Sequence, residues 1–174
     1  GSPMFEARGL ATRSHSDDYE DGDGKPVHSR YTRWSANAAL AWTPDERTRL
    51  ELTGARSDGE AAYADRGMDG VAFERSNAGV RIRKDAISPL VEKVEAQAFR
   101  NYVDHVMDNY TLRGFTPSPT MPGPSVSNPD RETKGARALV TLAPRAADRV
   151  TLGVDWQAND HTVRATMNQY AMPY

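Results

Sequence analysis

Apolar and polar residues alternate along most of the chain with a period of two, the pattern that is typical of β-strands with two chemically different faces. Between Tyr31 and Thr43 the even-numbered positions are almost all apolar, and they comprise Trp34, Ala36, Ala38, Leu40 and Trp42. The same alternation returns in six further segments, one of which runs from Phe5 to about Ser16 and a longer one from Val91 to Tyr110. The pattern therefore predicts seven strands.

Short and long connections alternate between these strands. The turns near residues 43–47, 88–89 and 143–148 are tight, whereas 17–30, 58–75, 108–132 and 158–174 are long and rich in turn-forming residues. This combination is typical of outer-membrane β-barrels, whose two ends carry short turns and long extracellular loops respectively. We therefore predict an all-β fold over residues 1–174: an antiparallel up-and-down meander that forms part of a large transmembrane β-barrel, with those four segments as extracellular loops.

Two other arrangements fit the same alternation. In a soluble β-sandwich that serves as a binding or adhesion module, the apolar parity would meet a second sheet. In a passive porin segment, the polar parity would line a channel without selecting a ligand. The abundance of small alanine side chains on the apolar parity favours a lipid-facing wall over a sandwich, which needs larger side chains to fill its core.

Composition supports a chain with little core of its own. Leu, Ile, Val and Phe account for 27 of the 174 residues, below the roughly 20% expected of a well-cored globular chain. The net charge of -2 speaks against a nucleic-acid partner, and the lack of cysteine removes thiolate metal sites and Cys nucleophiles. No hydrolase, phosphate-loop or metalloprotease motif occurs, so we expect no enzyme activity.

The most informative local feature is the pair His105 and Met107, near the loop end of the strand that begins at Val91. Residues two apart in a strand project from the same face, here the face of Glu95, Gln97 and Asn101. An imidazole beside a thioether is a soft ligand pair that selects copper over hard cations. The spacing alone equally suits an ordinary polar lumen residue, His105, next to a space-filling Met107.

Three runs of the sequence resemble the TonB-dependent outer-membrane copper receptor family of Gram-negative bacteria. The runs are residues 5–9, 63–70 and, most specifically, 101–110, which reads Asn-Tyr-Val-Asp-His-Val-Met-Asp-Asn-Tyr. Receptors of this family hold an N-terminal plug inside a barrel of ~22 strands. The resemblance thus implies that the chain is a fragment of such a barrel in the outer membrane.

The resemblance also implies a role for the two soft ligands. His105 and Met107 would form the barrel half of a copper site, for Cu(I) or Cu(II), and the remaining Cys and Met ligands would come from the receptor's own plug domain. No plug or TonB box is recognisable in these 174 residues. The implied partners are the copper ion, the plug, TonB acting through the plug, and the lipid and lipopolysaccharide around the barrel.

Overall fold

The computed structural model describes residues 4–167 and Tyr170, and every regular element among them is a β-strand. The strands are Phe5–Ser16 (β1), Tyr19–Glu20 (β2), Pro26–Val27 (β3), Tyr31–Asp45 (β4), Thr48–Ala61 (β5), Asp69–Asp85 (β6), Val91–Asp108 (β7), Ser125–Arg145 (β8) and Asp148–Met167 (β9). Within the described residues, no helix is long and apolar enough to cross a membrane.

Seven of the strands form one antiparallel sheet in the order β1-β4-β5-β6-β7-β8-β9, so each strand pairs with its neighbours along the chain. The short strands β2 and β3 pair only with each other, inside the connection between β1 and β4. The predicted antiparallel meander of seven strands is therefore confirmed. In the described part of the chain β1 and β9 do not pair, so these residues form an open sheet with two edge strands and not a closed barrel.

The strands extend further towards the loops than the alternation predicted. β5 continues to Ala61 and β6 begins at Asp69, so residues 62–68 are all that remains of the connection expected at 58–75. The connection expected at 108–132 shrinks to 109–124, and β9 occupies most of 158–174, whose last residues lie largely outside the described part. The cause is that backbone pairing continues where both faces are polar and the period of two has faded.

Apolar side chains form a continuous band on one face of the sheet. The antiparallel registers place the following residues on that face: Phe5, Ala7, Gly9 and Ala11 in β1; Trp42, Leu40, Ala38, Ala36 and Trp34 in β4; Leu50, Leu52 and Gly54 in β5; Ile82, Val80 and Ala78 in β6; Val94, Ala96 and Ala98 in β7; Val140, Ala138 and Ala136 in β8; Val150, Leu152, Val154 and Trp156 in β9. We call this set the apolar band and its side of the sheet the band face. The opposite side, which carries Glu51, Gln97 and Arg137, is the polar face.

No second layer covers the apolar band in the described residues. Leu40 is 56% exposed, Leu52 48% and Val154 66%, and every strand of the sheet contacts only the strands it pairs with. A β-sandwich would bury these side chains against a second sheet. The sandwich alternative is therefore not the arrangement that this structure has.

The apolar band shifts along the strands from one side of the sheet to the other. Trp42 is the first band residue of β4, and the row of paired residues that crosses the sheet from Trp42 reaches β9 at Val154. The band in β9 begins at Val150, however, which is four residues nearer to the short turns. At the loop end the band likewise stops earlier in β9, at Trp156, than in β4, at Trp34. Strands that tilt by about 35–45° to a barrel axis require such a staircase if the band is to stay level.

The side-chain alternation yields a direct test of which face meets hydrocarbon. We expect Leu52→Arg, at the middle of the band in β5, to destabilise the complete protein in a bilayer by about 2–4 kcal/mol, because a guanidinium near the midplane is costly there. The matched control is Thr53→Arg, one residue away on the polar face, which should change stability by less than about 1 kcal/mol. Urea unfolding of both variants from lipid vesicles measures the difference, and equal effects would contradict the assignment.

Candidate metal centre

The structure places His105 and Met107 near the loop end of β7, beyond the apolar band. The β7–β8 register is unbroken around them, with Asp104 opposite Asp130 and Met107 opposite Ser127. Because side chains alternate in a regular strand, His105 and Met107 project from one face, and that face is the polar face. The structure thus brings the two predicted ligands side by side on the side of the sheet opposite the band.

The imidazole of His105 packs at a tilt against an aromatic ring that the sequence pattern did not single out. Phe73 lies opposite His105 on β6, and the two ring centres are 4.6 Å apart with a 37° angle between the ring planes. The Nε2 atom of His105 is buried and has no hydrogen-bond partner in the described residues. A buried nitrogen without a partner costs about 1–3 kcal/mol, so a group that bonded to Nε2 of His105 would be favoured.

Gly70 makes room for the Phe73 ring. A Cβ atom at Gly70 would lie 2.0 Å from Cζ of Phe73, which no side chain could tolerate without displacing the ring. Phe73 lies opposite His105 in the regular part of the β6–β7 register, and a bulge between Gly70 and Ala72 then shifts that register so that Gly70 lies opposite Met107. The glycine, the bulge and the phenyl ring together set the environment of both predicted ligands.

A second histidine, His161, borders a surface groove together with His105. His105 and His161 both border a cavity of about 470 Å³ on the sheet surface, in which Arg131 lies opposite His161. The described residues hold no group of three or more His, Asp or Glu side chains arranged to bind a metal ion. The arrangement therefore offers at most part of a coordination shell, and the rest would have to come from outside these residues.

Above this groove, one buried carboxylate joins three connections. Asp69, the first residue of β6, is fully buried. Its carboxylate accepts hydrogen bonds from Nε and Nη2 of Arg113, the former at 2.8 Å, from Nε2 of His28 at 2.8 Å and from the backbone N–H of Tyr63 at 2.9 Å. We call Asp69, Arg113, His28 and Tyr63 the loop cluster. Its members come from the connections before β4, between β5 and β6, and between β7 and β8.

Further hydrogen bonds tie the same connections together. The Arg113 guanidinium also donates to the carbonyl oxygens of Arg66 and Tyr63, both at 2.8 Å. The Arg30 guanidinium donates to the carbonyl of Leu112 at 3.1 Å. Hydrogen bonds thus join these connections to one another at the loop end of the sheet.

Burial and hydrogen bonding act in opposite directions on the Asp69 carboxyl, which lies well beyond the apolar band. Burial alone would raise its pKa, but the bonds from Arg113, His28 and the Tyr63 N–H outweigh burial and hold the pKa at about 2. The carboxylate therefore stays ionised at neutral pH. Within the loop cluster it forms an ion pair with Arg113 and accepts further hydrogen bonds from His28 and Tyr63. Sequence reasoning missed it because its members are far apart in the chain.

Removing the charge at the centre of the loop cluster should loosen the connections. We expect Asp69→Asn to lower the local stability of residues 62–68 and 109–124 by about 3 kcal/mol, since it leaves the Arg113 guanidinium part-buried without its anion. Hydrogen–deuterium exchange on the complete receptor measures this as faster exchange in those segments. Asp65→Asn, an exposed acid in the same connection, is the matched control and should leave exchange unchanged; equal exchange in both variants would contradict the role of Asp69.

The lowered pKa of Asp69 also predicts a pH dependence. Because the folded pKa, about 2, lies below the ordinary aspartate pKa of 3.8, the stabilisation is complete above about pH 4 and declines as the pH falls from there towards 2. Exchange in residues 109–124 should therefore be constant between pH 7 and 5 once intrinsic rates are corrected, and should rise below pH 4. A rise that begins near pH 6 would instead point to a histidine.

The chain is similar to a known protein of solved structure. The chain aligns with a solved structure named "Copper transporter OprC" at 46% sequence identity and a TM-score of 0.82, over 95% of this chain and 26% of that one. The chain thus spans about a quarter of the transporter's length. No family model matches the chain, and no curated protein sequence matches it. The match confirms the resemblance stated from the sequence and is consistent with a fragment of a TonB-dependent copper receptor barrel.

Proposed function

We propose that this chain is a stretch of barrel wall from an outer-membrane copper receptor and that His105 and Met107 bind copper during import. The observation that carries the proposal is a pair of soft ligands on the polar face of β7, one of them with a buried ring nitrogen that lacks a partner. The apolar band on the reverse side supports a position in a membrane wall. The similarity to a copper transporter at 46% identity supports the choice of metal.

The chemistry of the pair suits copper as a transported substrate. Imidazole nitrogen binds copper in either oxidation state, and thioether sulfur favours Cu(I). Two ligands alone bind weakly, and in this proposal the plug domain of the complete receptor completes the coordination shell. A site shared between wall and plug would then lose half of its ligands when the plug moves, which offers a route for release driven through TonB.

Phe73 and Gly70 position the histidine in this proposal. The stacked phenyl ring limits rotation of the imidazole about its side-chain bonds, and Gly70 leaves space for that ring. A ligand that is held in place loses less conformational entropy when the metal binds. The environment of His105 thus favours binding over the free rotation expected of an ordinary exposed histidine.

The account involves no covalent step, and a transporter relative suggests that the protein is not an enzyme. The passive porin alternative makes a different prediction, because an unselective channel needs no ligands and shows no preference for copper. The His105 and Met107 side chains therefore distinguish the two functions directly.

Titration of the complete receptor with Cu(I) tests the assignment. We expect the double variant His105→Ala, Met107→Ala to lose at least about 100-fold in Cu(I) affinity, since loss of even an outer partner of a metal ligand costs 10–100-fold. His161→Ala is the matched control, because His161 borders the same groove on β9 but is not in the proposed pair, and it should leave the affinity unchanged. An unaltered Cu(I) affinity in the double variant would remove the site assignment.

A further inference from the structure

A row of positive charges follows the loop-side edge of the apolar band on the band face. In β5, β7 and β8 the first band-face position beyond the band is cationic, namely Arg56, Arg100 and Lys134. Their side chains are 64%, 54% and 49% exposed. Long cationic side chains at such a boundary can lay their stems on apolar surface and place their charges at its edge.

We infer that Arg100 and Lys134 bind the phosphate groups of membrane lipid headgroups at this edge. The inference rests on the proposed position of the chain in a membrane wall, but it concerns the face opposite the proposed copper ligands. It adds a specific lipid contact that copper import does not require.

Arg100 and Lys134 lie directly opposite each other on β7 and β8. The residues next to them in the same register are small, Ala78 on β6 and Ala158 on β9. Small neighbours leave the two cationic groups accessible from the side of the sheet that would meet lipid. Arg100 and Lys134 thus form an accessible patch with two positive charges, flanked on each side by an alanine.

One carboxylate holds both cations without neutralising them. Glu132 accepts a hydrogen bond from Nε of Arg100 and lies 2.6 Å from Nζ of Lys134. Two positive charges against one negative charge leave a net positive charge. Among the described residues, no other hydrogen bond or ion pair engages either cationic group, so several of their donors are unused.

The positions of the cations and carboxylates relative to the apolar band favour a phosphate headgroup as the ligand. Glu132 lies two residues beyond Lys134 towards the loops, and Glu74 pairs with Arg56 at 2.7 Å from the loop side. The cations are therefore nearest the apolar band and the carboxylates lie one step further out. Headgroup phosphates lie directly at the edge of the hydrocarbon layer, where cations attract them.

Native mass spectrometry of the complete receptor tests the inference with lipid A as the probe. The unmodified receptor is exchanged into detergent with bis-phosphorylated lipid A or with its dephosphorylated form, and the retained lipid is measured. We expect at least about tenfold greater retention of the phosphorylated form, as expected for a charge-assisted hydrogen bond. The double variant Arg100→Gln, Lys134→Gln should lose this preference. Arg81→Gln, Arg137→Gln removes the same charge from the polar face of neighbouring strands and should retain it.

Three results would overturn the inference: equal retention of the two lipids by the unmodified receptor, an unchanged preference in the Arg100 and Lys134 double variant, or displacement of the lipid by inorganic phosphate. The first needs no variant, so it decides the matter even if the double variant fails to insert. The Cu(I) affinity of the double variant should equal that of the unmodified receptor. Loss of copper binding in the His105 and Met107 variant with intact lipid preference, or the reverse, separates this inference from the proposed function.

Discussion

A sheet that is one layer thick cannot bury its own apolar side chains, and this constraint governs the whole structure. Each strand pairs its backbone with its neighbours, so successive side chains must leave from opposite faces. The band face therefore presents Leu40, Leu52 and Val154 to the outside, each about half exposed or more. Only another apolar phase can cover them, and within the described residues the chain provides none. Placement in a membrane wall resolves that imbalance.

The same alternation leaves the polar face free to hold chemistry. A strand that turns one side towards hydrocarbon can carry polar side chains on the other, as β7 does with Glu95 and Gln97. Beyond the band the same polar face carries His105 and Met107. At the loop end the constraint relaxes, since neither face meets hydrocarbon there. Connections can then fold over the wall, and the fully buried Asp69 shows that they pack closely enough to exclude water.

Much of this architecture could be predicted from the sequence, because period-two alternation is a local signal. It identified the seven strands, their antiparallel order and the shared face of His105 and Met107. Strand ends were less predictable, since residues such as Asp58 and Glu132 continue the backbone pairing while both faces are polar. A pattern that depends on contrast between faces carries no information there.

The contacts around the candidate site could not be predicted, because they join distant parts of the chain. Arg113 reaches Asp69 across 44 residues of sequence, and no local pattern marks either residue as the partner of the other. Phe73 meets His105 only through the register in which β6 pairs with β7, and Gly70 lies opposite Met107 only because a bulge shifts that register. Sequence spacing pointed to His105 and Met107 but not to the aromatic ring and the glycine that surround them.

The most direct measurement of the central claim is the accessibility of single labelled positions along β7 in the complete receptor embedded in a bilayer. A spin label is introduced at each position from 94 to 98, and collisions with lipid-soluble oxygen and with a water-soluble nickel complex are compared. A sheet with its band face in lipid should give strict alternation, with labels at Val94, Ala96 and Ala98 exposed to oxygen and those at Glu95 and Gln97 exposed to nickel. Alternation in the opposite phase, or none at all, would contradict it.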